Sequence, residues 1–185
     1  YNGQLQMSPN ISELANLIIS MLFYSFVLLF IFNILNVNYF NPIVKAFVSA
    51  YKPISKLSIF PNQLYMIGLI AVGLKFAGFQ IALASQSLSS EYENSVLLII
   101  AVIQILRIGI DIIFYSVMGS VILSWVSPEK TNPALELIDE ISNKVLSPVR
   151  NFIPSAGGID FSPIIIFIAI SMISSFLQDI IRSIA

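Results

Sequence analysis

The chain has 185 residues, of which 57% are hydrophobic and 10% are charged, and its formal net charge is −1. A soluble domain carries about 25% charged residues, so this composition indicates an integral membrane protein and excludes a basic nucleic-acid patch. The sequence contains no cysteine and no histidine. This excludes disulfides, thiol chemistry and imidazole catalysis, and we expect no metal, haem or other cofactor.

Four apolar runs are each long enough to cross a bilayer core of about 30 Å, which takes roughly 20 helical residues. The runs cover 11–35, 64–85, 95–126 and 162–184. The third would be about 48 Å long as a helix, so it must tilt or project from the membrane. No basic residue precedes the first run, so we expect no cleavable signal peptide, and Met7 is a candidate natural start.

Two Asn-Pro motifs divide the chain into two related units. Asn41-Pro42 and Asn132-Pro133 stand 91 residues apart, and each lies between two apolar runs. We therefore predict an all-α integral membrane protein built from two parallel helix–loop–helix repeats with four spans. The first, degenerate repeat covers 11–85, and the second covers 95–184.

The distribution of lysine and arginine predicts the orientation. The two Asn-Pro loops hold six basic residues, whereas the end of the last run holds Arg182 alone. By the positive-inside rule, both loops are cytoplasmic and both termini lie outside. The predicted location is the bacterial inner membrane. The six loop residues are Lys45, Lys52, Lys56, Lys130, Lys144 and Arg150.

The second loop contains an amphipathic segment at 133–147, with apolar residues on one helical face and charged residues on the other. Asn132 is the expected cap, Pro133 the first helical residue, and Pro148 the residue that ends the helix. Such a helix lies in the membrane interface or packs on the protein's own spans, and both interpretations remain open.

The loop and its flanks resemble the YggT family, also called YlmG-like proteins, of bacteria and plastids. The resemblance is carried by ILSWV, NP, SPVRNFIP and GGIDFSP in that order. Lys144 stands where the family often has proline, and Asn151 where it often has a basic residue. The first repeat resembles the family only weakly. The motif residues are Trp125, Asn132, Pro133, Pro148, Arg150, Pro154, Gly157, Gly158, Asp160, Ser162 and Pro163.

The resemblance implies a membrane protein that is not an enzyme. Plastid members are linked to cytochrome b6 maturation and to membrane and nucleoid organisation, and bacterial members to division-associated genes and to osmotic or potassium tolerance. We expect an assembly or organising factor that acts through the cytoplasmic loop, with the bilayer and other membrane proteins or a second copy as partners. The alternative is a small oligomeric transport or osmotic-tolerance protein that uses charges inside the membrane.

Four charged residues lie within the apolar runs: Lys75, Arg107, Asp111 and Asp179. Inserting each charge near the bilayer centre costs about 2.5–3.5 kcal/mol, so we expect each to have a structural or functional role. Their depths predict that Lys75 pairs with Asp111 and Arg107 with Asp179. The resulting cluster is either a structural set of ion pairs or part of an ion or proton path. Small residues at helical spacing predict that Lys75 faces protein: Gly68, Ala71, Gly78 and Ala82.

The second loop returns to the membrane through a predicted sharp turn at Gly157-Gly158. Ser162 is the expected N-cap of the last helix, with Pro163 as its first residue. Asp160 precedes the positive end of that helix, and Arg150 is its candidate partner, the alternative being two solvated charges. Trp125 is expected to anchor the interface.

Overall fold

The computed structural model describes residues 9–56, 62–85, 93–126, 132–153 and 160–184. These parts of the chain form helices and no strand. Four of the helices are long and apolar enough to cross a membrane, which confirms the predicted fold class. The helices are α1 (Pro9–Ile34), α2 (Pro42–Ser55), α3 (Gln63–Ser85), α4 (Asn94–Val126), α5 (Pro133–Phe152) and α6 (Ser162–Ile184).

Helices α1 and α3 pack against each other in antiparallel fashion through small residues of α3. A Cβ added at Gly68 would lie 3.4 Å from the ring of Phe30, and one at Gly78 would lie 3.5 Å from Ile19. Ala71 of the same stripe is fully buried. The predicted stripe of small residues therefore faces α1, and it permits the close backbone approach that holds helices together in lipid.

Helix α4 is the central element, because it contacts α1, α3, α5 and α6. It is continuous over 33 residues, or about 50 Å. A Cβ at Gly109 would lie 3.1 Å from Ile31, and one at Gly119 would lie 3.2 Å from Ile138. The Phe114 ring packs on Phe167 of α6 with their centroids 5.1 Å apart. The glycines thus set the close approach of α4 to α1 and to α5.

The two short helices meet at the same end of the molecule. Phe32, Val44 and Ile141, from α1, α2 and α5, belong to one buried apolar cluster. The Asn41 side-chain amide donates to the carbonyl of Pro133 over 2.8 Å, so the two Asn-Pro motifs contact each other. This shared position agrees with two loops on one membrane face. The relation of the two units as repeats stays a prediction.

Helix α5 runs through Pro148 to Phe152, so the expectation that the helix ends at residue 147 is wrong. The proline removes one donor, the one that would bond to the carbonyl of Lys144. The residues around it hold the turn in place, because Leu146 is 2% exposed and Arg150, one turn later, is hydrogen-bonded to Asn143 and Asp160. Helix α2 contains Pro53 in the same way.

Candidate functional site

Both short helices begin with the same local arrangement. Asn41 accepts a hydrogen bond from the backbone N–H of Ile43, and Asn132 accepts one from Ala134, each over 2.9 Å. A proline follows each asparagine, where its missing N–H costs no helical hydrogen bond. The predicted cap at Asn132 is confirmed, Asn41 caps α2 in the same way, and the two caps fix where the short helices start.

The start of α6 differs from the expectation, because Ser162 is already helical and Asp160 accepts its backbone N–H over 2.9 Å. Asp160 thus performs the capping role assigned to Ser162. The reason is electrostatic: a carboxylate is a stronger acceptor than a hydroxyl, and the positive end of the helix dipole favours a negative charge. Pro163 is the second helical residue.

A continuous chain of polar side chains joins α4, α5 and the start of α6. Ser120 donates to one oxygen of Asp139 over 2.7 Å, and Asn143 donates to the other over 2.9 Å. Arg150 donates through Nη1 to Asn143 over 2.9 Å and through Nε to Asp160 over 2.7 Å. The predicted Arg150–Asp160 pair is therefore formed, and it belongs to a larger network.

The network lies along one face of α5, because Asp139, Asn143 and Arg150 recur at helical spacing. The opposite face is apolar and buried, with Leu137 at 9% and Ile141 at 3% exposure. Packing holds one face of α5, while hydrogen bonds to α4 and to the start of α6 fix its rotation.

Asp160 is held as an anion. Its partial burial raises the pKa of the carboxyl group, but the hydrogen bonds from Arg150 and from the backbone N–H of Ser162 outweigh burial and hold the pKa below its ordinary value. The two side chains are 42% and 35% exposed, so water screens the pair and its contribution to stability is modest.

The outward side of α5 forms an open groove of about 900 Å³ with charges of both signs. Lys144 lies 3.7 Å from Glu140, which also accepts the backbone N–H of Asn38. Mixed charges with many donors and acceptors suit recognition of a polypeptide better than of a polyanion. The groove is lined by Glu136, Asp139, Glu140, Asn143, Lys144, Ser147, Pro148, Arg150 and Asn151.

The charges within the spans do not form the predicted pairs. The Lys75 ammonium lies 5.3 Å from the ring centre of Phe23 and 5.1 Å from that of Phe79. Asp179 is 3.4 Å from Arg182 on its own helix. The expected Lys75–Asp111 and Arg107–Asp179 pairs are therefore wrong for the described part of the chain. Lys75 does face α1, as its stripe predicted.

The stagger of α4 explains the missing pairs. Gln80 donates to Asn94 over 2.8 Å, which places the start of α4 beside the last turns of α3. Further along, Gly109 meets Ile31 near the opposite end of α3. Asp111 is thereby displaced from Lys75 by roughly 15–18 Å along the bundle, at 1.5 Å per residue. The prediction measured the depth of Asp111 from Trp125, at the end of α4, and so did not include this displacement.

Three members of the network escaped the sequence analysis: Ser120, Asp139 and Asn143. Asp139 and Asn143 are four residues apart on a helix, a spacing that does place side chains together. Ser120 lies on α4, and no spacing in the sequence places it beside Asp139. Of the predicted motif residues, Trp125 is 85% exposed at the end of α4. Pro154, Gly157 and Gly158 lie outside the described residues.

Taken together, four candidate spans, two short helices at one end and a polar network that ties α5 to its neighbours define a helical membrane protein. Residues 99–181 match the CCB3/YggT family. The second unit of the chain is therefore similar to the YggT family.

Relatives extend the similarity over most of the chain. It is 29% identical over 155 residues to an uncharacterised protein of Pseudomonas aeruginosa, which covers 78% of this chain and 76% of the relative. It is 27% identical over 157 residues to an uncharacterised protein of Haemophilus influenzae, covering 78% of each. It is 29% identical over 72 residues to the uncharacterised protein YggT of Escherichia coli K12, covering 39% and 38%. No solved structure matches the chain significantly.

Proposed function

We propose that this protein is a non-enzymatic assembly or organising factor of the bacterial inner membrane, and that the polar face of α5 is its working surface. The observation that carries the proposal is the hydrogen-bonded chain from Ser120 to Asp160. Such a chain stops α5 from rotating and so presents one charged face in a fixed orientation. A fixed surface loses little entropy when a partner binds.

The chemistry of the groove suggests the kind of partner. Glu136 and Asn143 are exposed, and the acidic groups at positions 136–140 are followed along the helix by the basic groups of Lys144 and Arg150. A polar segment of another membrane protein, in the cytoplasm beside the bilayer, would supply complementary charges and backbone hydrogen bonds. The transport alternative has less support, because Lys75, Asp111 and Asp179 lie in separate surroundings.

The test is copurification from cells in mild detergent, with the partner identified by mass spectrometry. The reversal Glu136→Lys changes the surface, while Arg150→Ala releases the network that positions it. Both are expected to lower recovery of the partner by about tenfold without changing the amount of protein in the membrane. Arg182→Ala, at the far end of α6, is the matched control. Unchanged recovery with Glu136→Lys would refute the proposal.

The cytoplasmic position of α5 is part of the proposal and has its own test. The natural chain has no cysteine, so single cysteines report without background. Cysteines at Lys52 and Glu136 are expected to resist an impermeant reagent added to intact cells, whereas one at Glu91 is expected to react. Labelling of the first two positions from outside would reverse the orientation.

A further inference from the structure

A second site lies inside the membrane, in a groove of about 260 Å³ between α1 and α3. Lys75 projects into it roughly 15 Å from the Ser85 end of α3, at 1.5 Å per residue. Asn16 and Ser20 of α1 line the same groove, one turn apart. The remaining lining is apolar or glycine, so three polar groups converge in otherwise apolar surroundings.

These three groups have unused hydrogen-bonding capacity. Within the described ranges, no residue forms a hydrogen bond or ion pair with Asn16, Ser20 or Lys75. Ser25 and Ser171, by contrast, each donate to the carbonyl one turn back over 2.8 Å. Unsatisfied polar groups are costly in lipid, and an ammonium retains donors even when it lies over two aromatic rings. The groove is therefore built for a polar occupant.

The donors define the chemistry of that occupant. An ammonium, an amide and a hydroxyl together suit a negatively charged group with several acceptor oxygens, which is the description of a phosphate diester. Exposed apolar side chains continue the same flank of α1, with Leu17 at 52% and Tyr24 at 53% exposure. Acyl chains can lie on this surface. Inside a bilayer, the phosphate diester with attached acyl chains is a phospholipid.

Glu13 refines the choice of headgroup. It lies three residues before Asn16, about 4.5 Å nearer the start of α1, on the same flank as Ser20. It is exposed, and none of the described residues pairs with it. In a lipid of the adjacent leaflet, an ammonium lies outward of the phosphate and would meet this carboxylate. A headgroup with both charges therefore fits better than a purely anionic one.

We propose that the groove between α1 and α3 binds a phosphatidylethanolamine molecule. Lys75, Asn16 and Ser20 hold its phosphate, and Glu13 holds its amine. The site is separate from the polar face of α5, so this proposal can be tested independently of the proposed function.

The experiment is lipid titration of the full-length protein in detergent, read by native mass spectrometry. Phosphatidylethanolamine is expected to bind more tightly than phosphatidylglycerol, and Lys75→Met to weaken it by about tenfold or more. Arg182→Met, which removes an exposed cation of α6, should leave binding unchanged. Glu13→Gln should abolish the preference between the two lipids. Equal binding by the wild type and Lys75→Met would overturn the assignment.

Two further measurements separate the lipid from other occupants. Inorganic phosphate that displaces the lipid at equal concentration would show a free-anion site and overturn the lipid assignment. An acidic membrane helix of another protein that crosslinks to a photoreactive residue at position 75 in cells would also overturn it. Ser20→Ala changes little in packing, so weaker lipid binding by this variant supports the site even where Lys75→Met loosens α1 from α3.

Discussion

The long helices that follow the two short helices start alike but are held differently. Helix α3 follows Asn62, whose side chain accepts the backbone N–H of Leu64 over 2.9 Å. Helix α6 follows Asp160, which makes the same bond to Ser162 and an additional pair with Arg150. A capping oxygen is what the fold needs at both places, and the neutral amide supplies it. The cap alone therefore does not require the charge in the second unit, and this charge lies in the half to which the proposed function assigns the working surface.

The largest expected difference between the units comes from deleting the two caps. Asp160→Ala should lower the free energy of unfolding by about 2 kcal/mol, because it removes a cap and leaves Arg150 without its carboxylate. Asn62→Ala should cost about 1 kcal/mol, since only the cap is lost. Thermal unfolding in one detergent measures both. Equal losses would show that the charge pair contributes nothing.

Asp160→Asn converts the second cap into the type found in the first. The amide oxygen still accepts the N–H of Ser162, so only the charge pair is lost, and the expected cost is about 1 kcal/mol or less. Copurification of the partner should fall with this variant if the network positions α5. If this variant matched the wild type in stability and in recovery of the partner, the charge of Asp160 would not distinguish the second unit from the first.

Two glycines, one in each unit, allow a comparison in which the expected effects on stability are smaller. A Cβ at Gly73 of α3 meets nothing within 4 Å, whereas one at Gly119 meets Ile138 at 3.2 Å. Alanine is the better helix former, so Gly73→Ala should be neutral or stabilising. Gly119→Ala should be about 1 kcal/mol less favourable, since Ile138 must move. Thermal unfolding of both variants checks this. Equal unfolding temperatures would show that Ile138 of α5 can move aside at no cost in stability.

The smallest expected effect is the pH dependence of the second unit. The pKa of Asp160 is lower in the folded protein than its ordinary value of about 3.9. Its contribution is therefore complete above that value and is lost as the pH falls through the folded pKa. The loss should stay below about 1 kcal/mol, because water screens the pair. Unfolding followed between pH 6 and pH 3 should show a shallower decline for Asp160→Asn than for the wild type.

The features predicted correctly from sequence depend on short-range chemistry. The Asn132 cap follows from a side-chain acceptor beside the helix start, and Arg150 finds Asp160 because both flank one loop. The Lys75–Asp111 prediction failed because depth depends on how far α4 slides along α1 and α3. Contacts such as Gly109 with Ile31 decide that, and no local pattern encodes them. The prediction that α5 ends before Pro148 was wrong for a related reason, because tertiary contacts overrode the local helix-breaking preference of proline.

The contact between the two Asn-Pro motifs has a mechanical consequence. Asn41 is 6% exposed and bonds to Pro133, while Asn38 bonds to Glu140 close by. These bonds tie the two halves together at the short-helix end. The bond from Gln80 to Asn94 joins the same two halves at the opposite end, so a rocking motion of one half against the other would have to break hydrogen bonds at one end. A displacement of α5 would therefore be passed to the first half through the bonds of Asn41 to Pro133 and of Asn38 to Glu140.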